Sequence, residues 1–254
     1  MDSRLDRAQG PRLGFAFGHA LATDAMSENS DEAASLGERI LALLKLQNST
    51  EAPSFPSMKL PSHRLAHLLV HAAQAGLHTS IGGRQAFADA VWRNCEDAEH
   101  YREFQAATLV AAAVSIGIDS PNLRVEDTLV RAIDVAASLE ARGEWSPEPD
   151  VVAATRRAMN IVSDMNVCAE SPLERLVEQI GAGDSLSQIV PMAFAMASLY
   201  QDRRTLTAPL RLGAHTNTIL STVGIIIGAV RGADFLRAYG ARAVEEALPF
   251  KLKE

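Results

Sequence analysis

Apolar residues recur three and four apart along most of the chain, which is the period of helices with one buried face. Leu36, Ile40, Leu43 and Leu44 define a helix over Ala33–Leu46. Three prolines (Pro53, Pro56 and Pro61) make Ser49–Pro61 a loop. Helices follow at Ser62–Ala75, with Gly76 as its stop, and at Gln85–Asn94. An Ala-rich helix spans Ala98–Ile118, and Asp119-Ser120-Pro121-Asn122 interrupts the chain before a helix over Val125–Arg142. Beyond the Gly143–Pro149 loop, which carries Trp145, the pattern gives Val151–Met165. Ser171-Pro172-Leu173-Glu174 has the form of a capping box, opening a helix to Ile180. Leu186–Gln201 holds Pro191, expected to kink it or mark its first turn. Arg203–Leu212, Thr218–Arg231 and Asp234–Ala247 complete the series. No run alternates with the period of a strand. The expected fold is all-α, one compact multi-helix domain over residues 1–254.

Composition narrows the class. The chain is 47% hydrophobic but only 5% aromatic, so its core must rest on Ala, Leu, Val and Ile. A net charge of −7 argues against a general nucleic-acid partner. Cys95 and Cys168 are too few for a disulfide framework, and the charged start Met1–Arg7 has no export run, so a cytoplasmic location is expected. The most apolar window, Ile219–Val230, is too short to cross a bilayer, and no membrane association is expected. Gly224, Gly228 and Gly232 step by four through that region, which lets another helix pack close.

The most informative stretch is Leu212-Gly213-Ala214-His215-Thr216-Asn217-Thr218-Ile219. Hydroxyl, imidazole and amide groups crowd a helix start, where unpaired N–H groups and the helix dipole favour anions and metal-bound ligands. The segment resembles the C-terminal signature of the ADP-ribosylglycohydrolase family, Leu-Gly-Gly-Asp-Thr-Asp-Thr-Ile. Gly181-Ala182-Gly183, followed by Val190-Pro191, is similar to the family's pocket loop. Leu13–Ala22 resembles its N-terminal helix, with His19 in place of an aspartate and Ala22 in place of a glycine. Ser30-Asp31-Glu32-Ala33 resembles the metal motif Thr-Asp-Asp-Thr, and Met58-Lys59-Leu60-Pro61 a cleft-wall motif. His100 and the helix after it are similar to another family segment. The first 50 or so residues are shorter than the family pattern.

The resemblance implies an all-helical fold whose cleft holds two magnesium ions, and cleavage of ribosyl bonds with help from a carboxylate base. Asp31 or Glu32 would be that base. His215, Asn217 and Thr218, with Asp31 and Glu32, would be the metal ligands. Gly181, Gly183, Gly213, Thr216, His19 and His63 would contact substrate. The ligand would be a small ribosyl or nucleotide-like molecule, or an ADP-ribosylated protein.

The departures change this chemistry. Magnesium prefers hard oxygen donors. Where the family has two aspartates this chain has His215 and Asn217, so a magnesium pair is not expected, and the cofactor is left open. One divalent ion (Mg, Mn or Zn) is compatible with Asp31, Glu32 and His215, the nitrogen donor favouring Zn or Mn. The stronger reading is that the metal is lost and that His215 and Asn217 cap the helix by hydrogen bonding. Two functions follow: an enzyme with a remodelled site on a ribosyl ligand, or an inactive relative that binds such a ligand or a protein. His63, His67 and His71 share a helix face, more simply as a locally bonded stripe than as a chelate.

Overall fold

The computed structural model describes residues 3–26, 64–95, 98–164, 172–181, 183–199 and 215–238. Among them the chain forms α1 (Ser3–Met26), α2 (Arg64–His78), α3 (Arg84–Asn94), α4 (Tyr101–Asp119) and α5 (Val125–Ser138), then α6 (Val151–Asp164), α7 (Pro172–Ile180), α8 (Leu186–Leu199) and α9 (Thr216–Arg231). A further helical stretch covers 233–238. No strand occurs among the described residues, and the fold is all-α as the periodicity predicts. The helix at Ala33–Leu46, the Ser49–Pro61 loop and the helix at Arg203–Leu212 lie outside the described residues, as do most of Asp234–Ala247 and the start of the capping box at Ser171.

α4 is the axis of the core. From Glu103 to Ile118 every one of its residues is buried, which a helix achieves only when enclosed on all sides. It packs against α2, α5 and α9. Its alanines allow the close approach: a Cβ at Gly76 of α2 would overlap the Ala111 carbonyl. Gly76 is therefore not the expected helix stop. α2 runs on to His78, and the glycine is there because α4 passes at backbone distance.

The closest pairing joins α1 to α9, which run antiparallel in a register that advances by four residues on each helix. A Cβ at Gly10 would overlap the carbonyl of Gly228, one at Gly14 that of Gly224, and one at Gly18 that of Leu220. Gly224 and Gly228 meet Gly14 and Gly10 in the same way. The four-residue glycine spacing thus serves helix contact inside one chain. Small residues remove the side-chain layer and let the backbones touch, so contact is made by Cα–H and carbonyl groups. Polar contacts fix the far end of the seam. The Arg7 Nε donates to the Ile118 carbonyl at 3.0 Å and Arg4 pairs with Asp119 at 3.1 Å, placing cations at the C-terminus of α4, where they suit the helix dipole. The Asp6 carboxylate accepts the Asp234 N–H at 2.9 Å.

The start of α4 and the end of α5 differ from the periodic pattern. α4 starts at Tyr101 rather than Ala98, because His100 is extended (φ −106°, ψ 151°) and its N–H is held by the Glu103 carboxylate at 2.9 Å. α5 ends at Ser138 rather than Arg142, since Leu139 turns extended (φ −88°, ψ 148°). The chain then runs to Glu144, which makes a parallel bridge with His100. Pro191 lies inside α8, in its second turn, and is buried. The first residue of α7 is Pro172, as expected of a proline that has no N–H to leave unpaired.

Gly14→Ala drives a methyl into the Gly224 carbonyl, and we expect it to cost at least about 1–3 kcal/mol. Gly82→Ala meets only the Ser80 hydroxyl, 3.7 Å away, and should change stability by no more than roughly 0.5 kcal/mol. Urea unfolding of both variants measures the difference.

Candidate functional site

The C-terminal motif sits where α9 begins. His215 occupies the N-cap position with φ −105° and ψ 17°, and its carbonyl accepts the Ile219 N–H at 3.0 Å. Its side chain makes no cap hydrogen bond. The expected capping role is thereby corrected: this backbone is not the extended conformation that turns an N-cap side chain toward the next N–H groups, and the carbonyl alone starts the helix. Asn217 does not cap either, for its Oδ1 is buried and accepts no hydrogen bond. Asn217 and Thr218 line a cavity of about 10 Å³ against Phe15 of α1 and Ala66, Leu69 and Val70 of α2, room for about one water. Thr216 and Thr218 are buried, and the Thr222 hydroxyl donates to the Thr218 carbonyl at 2.8 Å.

The glycine seam brings the later turns of α1 alongside this helix start, with Gly18 against Leu220. The backbone of His19 therefore lies at the same end of the molecule as His215. Asp31, Glu32, His63 and Gly213 lie outside the described residues.

The magnesium pair implied by the resemblance can be tested against the donors present. At the start of α9 these are an imidazole, one neutral amide oxygen and a hydroxyl, none with a formal negative charge. Among the described residues no three metal-type side chains come together. The buried, unpartnered Asn217 oxygen suits one hydrogen-bond donor or one cation contact. These residues do not fit two hard dications.

The glycine loop precedes α8. Gly181 has φ +89°, a conformation that favours glycine. A Cβ on Gly181 or on Gly183 would overlap the side-chain amide of Gln188. The space that the missing side chains leave is thus taken by Gln188. Two cavities flank this region, and Ser185 lines both. The smaller, about 140 Å³, is lined by His100, Arg102, Glu103, Ser146, Glu148 and Asp184 among others. The larger is about 440 Å³ and lies between the starts of α6 and α8 and the end of α7.

Two polar clusters hold these walls, one around the buried Glu103 and one around the partly exposed Asp150. Glu103 Oε2 accepts the N–H of Glu99 at 2.7 Å and of His100 at 2.9 Å, and its Oε1 pairs with Arg64 at 3.1 Å. The loop carrying Trp145, 78% exposed, is pinned because Tyr101 donates to the Glu144 carbonyl and Glu144 to that of Glu99, both at 2.8 Å. Asp150 caps α6: its Oδ1 accepts the Ala153 N–H, while Oδ2 accepts from Gln105 and Arg102, all at 2.8 Å. Burial alone raises the Asp150 carboxyl, but the hydrogen bonds from Gln105 and Ala153 and the Arg102 charge outweigh it, so its pKa falls below the ordinary 3.8. The sequence did carry signals for both clusters. An acid three residues into α4 is the second half of a capping box, and Asp150 precedes the apolar run of α6.

A family model for ADP-ribosylglycohydrolase matches residues 43–250, and the chain belongs to that family. The match takes in Met58–Pro61, His100, the glycine loop and the motif at 212–219, whereas the likenesses at 13–22 and 30–33 lie before it. No curated protein matches the chain. No helix among the described residues is long and apolar enough to cross a membrane.

Asp150→Ala should destabilise the protein by roughly 1 kcal/mol at neutral pH through loss of the cap. The Asp150 carboxyl is depressed in the folded state, so its contribution is present above about 3.8 and fades as pH falls through the folded value. The gap between wild type and variant should therefore narrow below about pH 3.8 in chemical denaturation at stepped pH.

Proposed function

We propose that the protein binds a ribosyl or nucleotide-like ligand at the start of α9 and has replaced the family's two-magnesium chemistry with neutral contacts. The observation that carries this reading is the buried Asn217 oxygen. An unpaired buried acceptor costs about 1–3 kcal/mol, so it marks a position where stability is spent on something other than the fold. Thr216, Gly213, His19, His63 and the loop at Gly181 and Gly183 are the proposed ligand contacts. If the site hydrolyses its ligand, Asp31 or Glu32 is the proposed base. The carboxylate takes a proton from water, the water oxygen bonds to the anomeric carbon as the bond from that carbon to the leaving group breaks, and the leaving group departs with the proton the carboxylate took.

A second reading keeps one metal ion. It rests on the nitrogen donor of His215 together with the Asn217 oxygen, and proposes Asp31 and Glu32 as the remaining ligands to Zn or Mn. Elemental analysis of untagged protein decides it: a stoichiometric metal supports this reading, and metal-free protein unaffected by added Zn, Mn or Mg removes it.

Titration with ADP-ribose in chelator, followed by calorimetry and by Trp145 fluorescence, tests the main proposal. Binding should occur without metal, and Asn217→Ala should weaken it at least tenfold while leaving the protein as stable as before or more so. No binding under any condition, or binding indifferent to Asn217, would reject it. Release of ADP-ribose from modified Ser, Arg or Asn separates a hydrolase from a binding protein.

A further inference from the structure

Trp145 is 78% exposed, more than any other large apolar side chain among the described residues. The chain's other tryptophan, Trp92, packs edge-on against Phe104 at 5.7 Å. Among the described residues neither a ring nor a cation meets Trp145. The loop beneath it is nevertheless held on both sides of the indole. Before it, Gly143 has φ +91° and sits against the Glu99–Tyr101 backbone so closely that a Cβ would overlap it, and Glu144 bridges to His100. After it, Ser146 is buried and its hydroxyl accepts the Glu148 N–H at 3.2 Å. The Glu148 carbonyl in turn accepts the Arg102 Nε at 2.9 Å. An indole presented to water on a fixed backbone costs little ordering when a partner covers it. Tryptophan is also the side chain most concentrated at the energetic centres of protein interfaces.

Charge selects the partner. Glu140, Glu144 and Glu148 are exposed on the same loop, whose one cation, Arg142, is paired with Asp89. Arg64 and Arg102, close by, are held by Glu99, Glu103 and Asp150. The carboxylates of Glu144 and Glu148 meet no cation among the described residues. The surface around the indole is therefore left negative, which attracts basic groups and repels nucleic acid and anionic lipid. We infer that the Trp145 loop is a docking surface for a basic segment of another protein. An arginine or lysine of that segment lies on the indole face, and its neighbouring positive charges meet Glu144 and Glu148. None of the proposed ligand contacts takes part.

Calorimetric titration of the full chain with hexa-arginine and with hexaglutamate tests this. Hexa-arginine should bind and hexaglutamate should not. Trp145→Ala should weaken hexa-arginine by about tenfold. Glu144→Gln combined with Glu148→Gln should weaken it by about threefold or more. Asp164→Asn, which removes an exposed acid at the end of α6, should leave it unchanged. All these side chains are exposed, so thermal melts by circular dichroism should coincide with wild type. Absence of hexa-arginine binding, or equal binding to Trp145→Ala, would overturn the surface. An equal loss in Asp164→Asn would reduce the effect to net charge and overturn it too. Sedimentation of the chain alone should show no dimer that depends on Trp145; such a dimer would give the face to a second copy instead.

Discussion

Backbone contact between α1 and α9 is the constraint on which the arrangement rests. Gly10, Gly14 and Gly18 on one helix meet Gly228, Gly224 and Leu220 on the other with no side-chain layer between them. Such a contact has almost no freedom to slide, because a shift of one residue would replace a glycine by a side chain at every step. It therefore fixes the height of α9 relative to α1, and with it the level at which His215, Thr216 and Asn217 stand. α4, enclosed along its length, supplies the wall against which both helices lie.

On this frame the charged groups divide by role. The buried Glu103 and the partly exposed Asp150 are hydrogen-bonded as catalytic acids often are. Their partners, however, are backbone N–H groups, a neighbouring amide, the His100 imidazole and arginines, which hold helix starts in place. At the start of α9 the opposite holds: an acceptor is buried and unmatched, and the acidic charge of the family signature is gone. The family scaffold is present in a chain whose described chemistry differs from the family signature, and function has to be argued from the site rather than the fold.

Much of the fold is legible in the sequence because helical period, small residues and loop signals agree. Pro172 opens α7 as its missing N–H predicts, and the four-residue glycine spacing foretells a close helix neighbour. The partner itself, Gly10 to Gly18, does not emerge from local pattern, because pairing across the chain is a tertiary fact. The same limit explains Gly76, which looks like a helix terminator yet lies inside α2 because Ala111 passes close by. At the site, the local motif locates the start of α9 but not the direction of its side chains. His215 looks like a cap until ψ is known, and Gly181 and Gly183 look open until Gln188 is seen over them.

The seam also sets an order of events in folding. Asp6 and Asp234, which meet at its end, are 228 residues apart in sequence. During synthesis α1 emerges first and has no partner until α9 has been made, so its glycine face waits exposed while the helices between them assemble. Contacts of such long range form late and slowly. The backbone contact that sets the level of the α9 start is therefore one that no shorter stretch of the chain can make by itself.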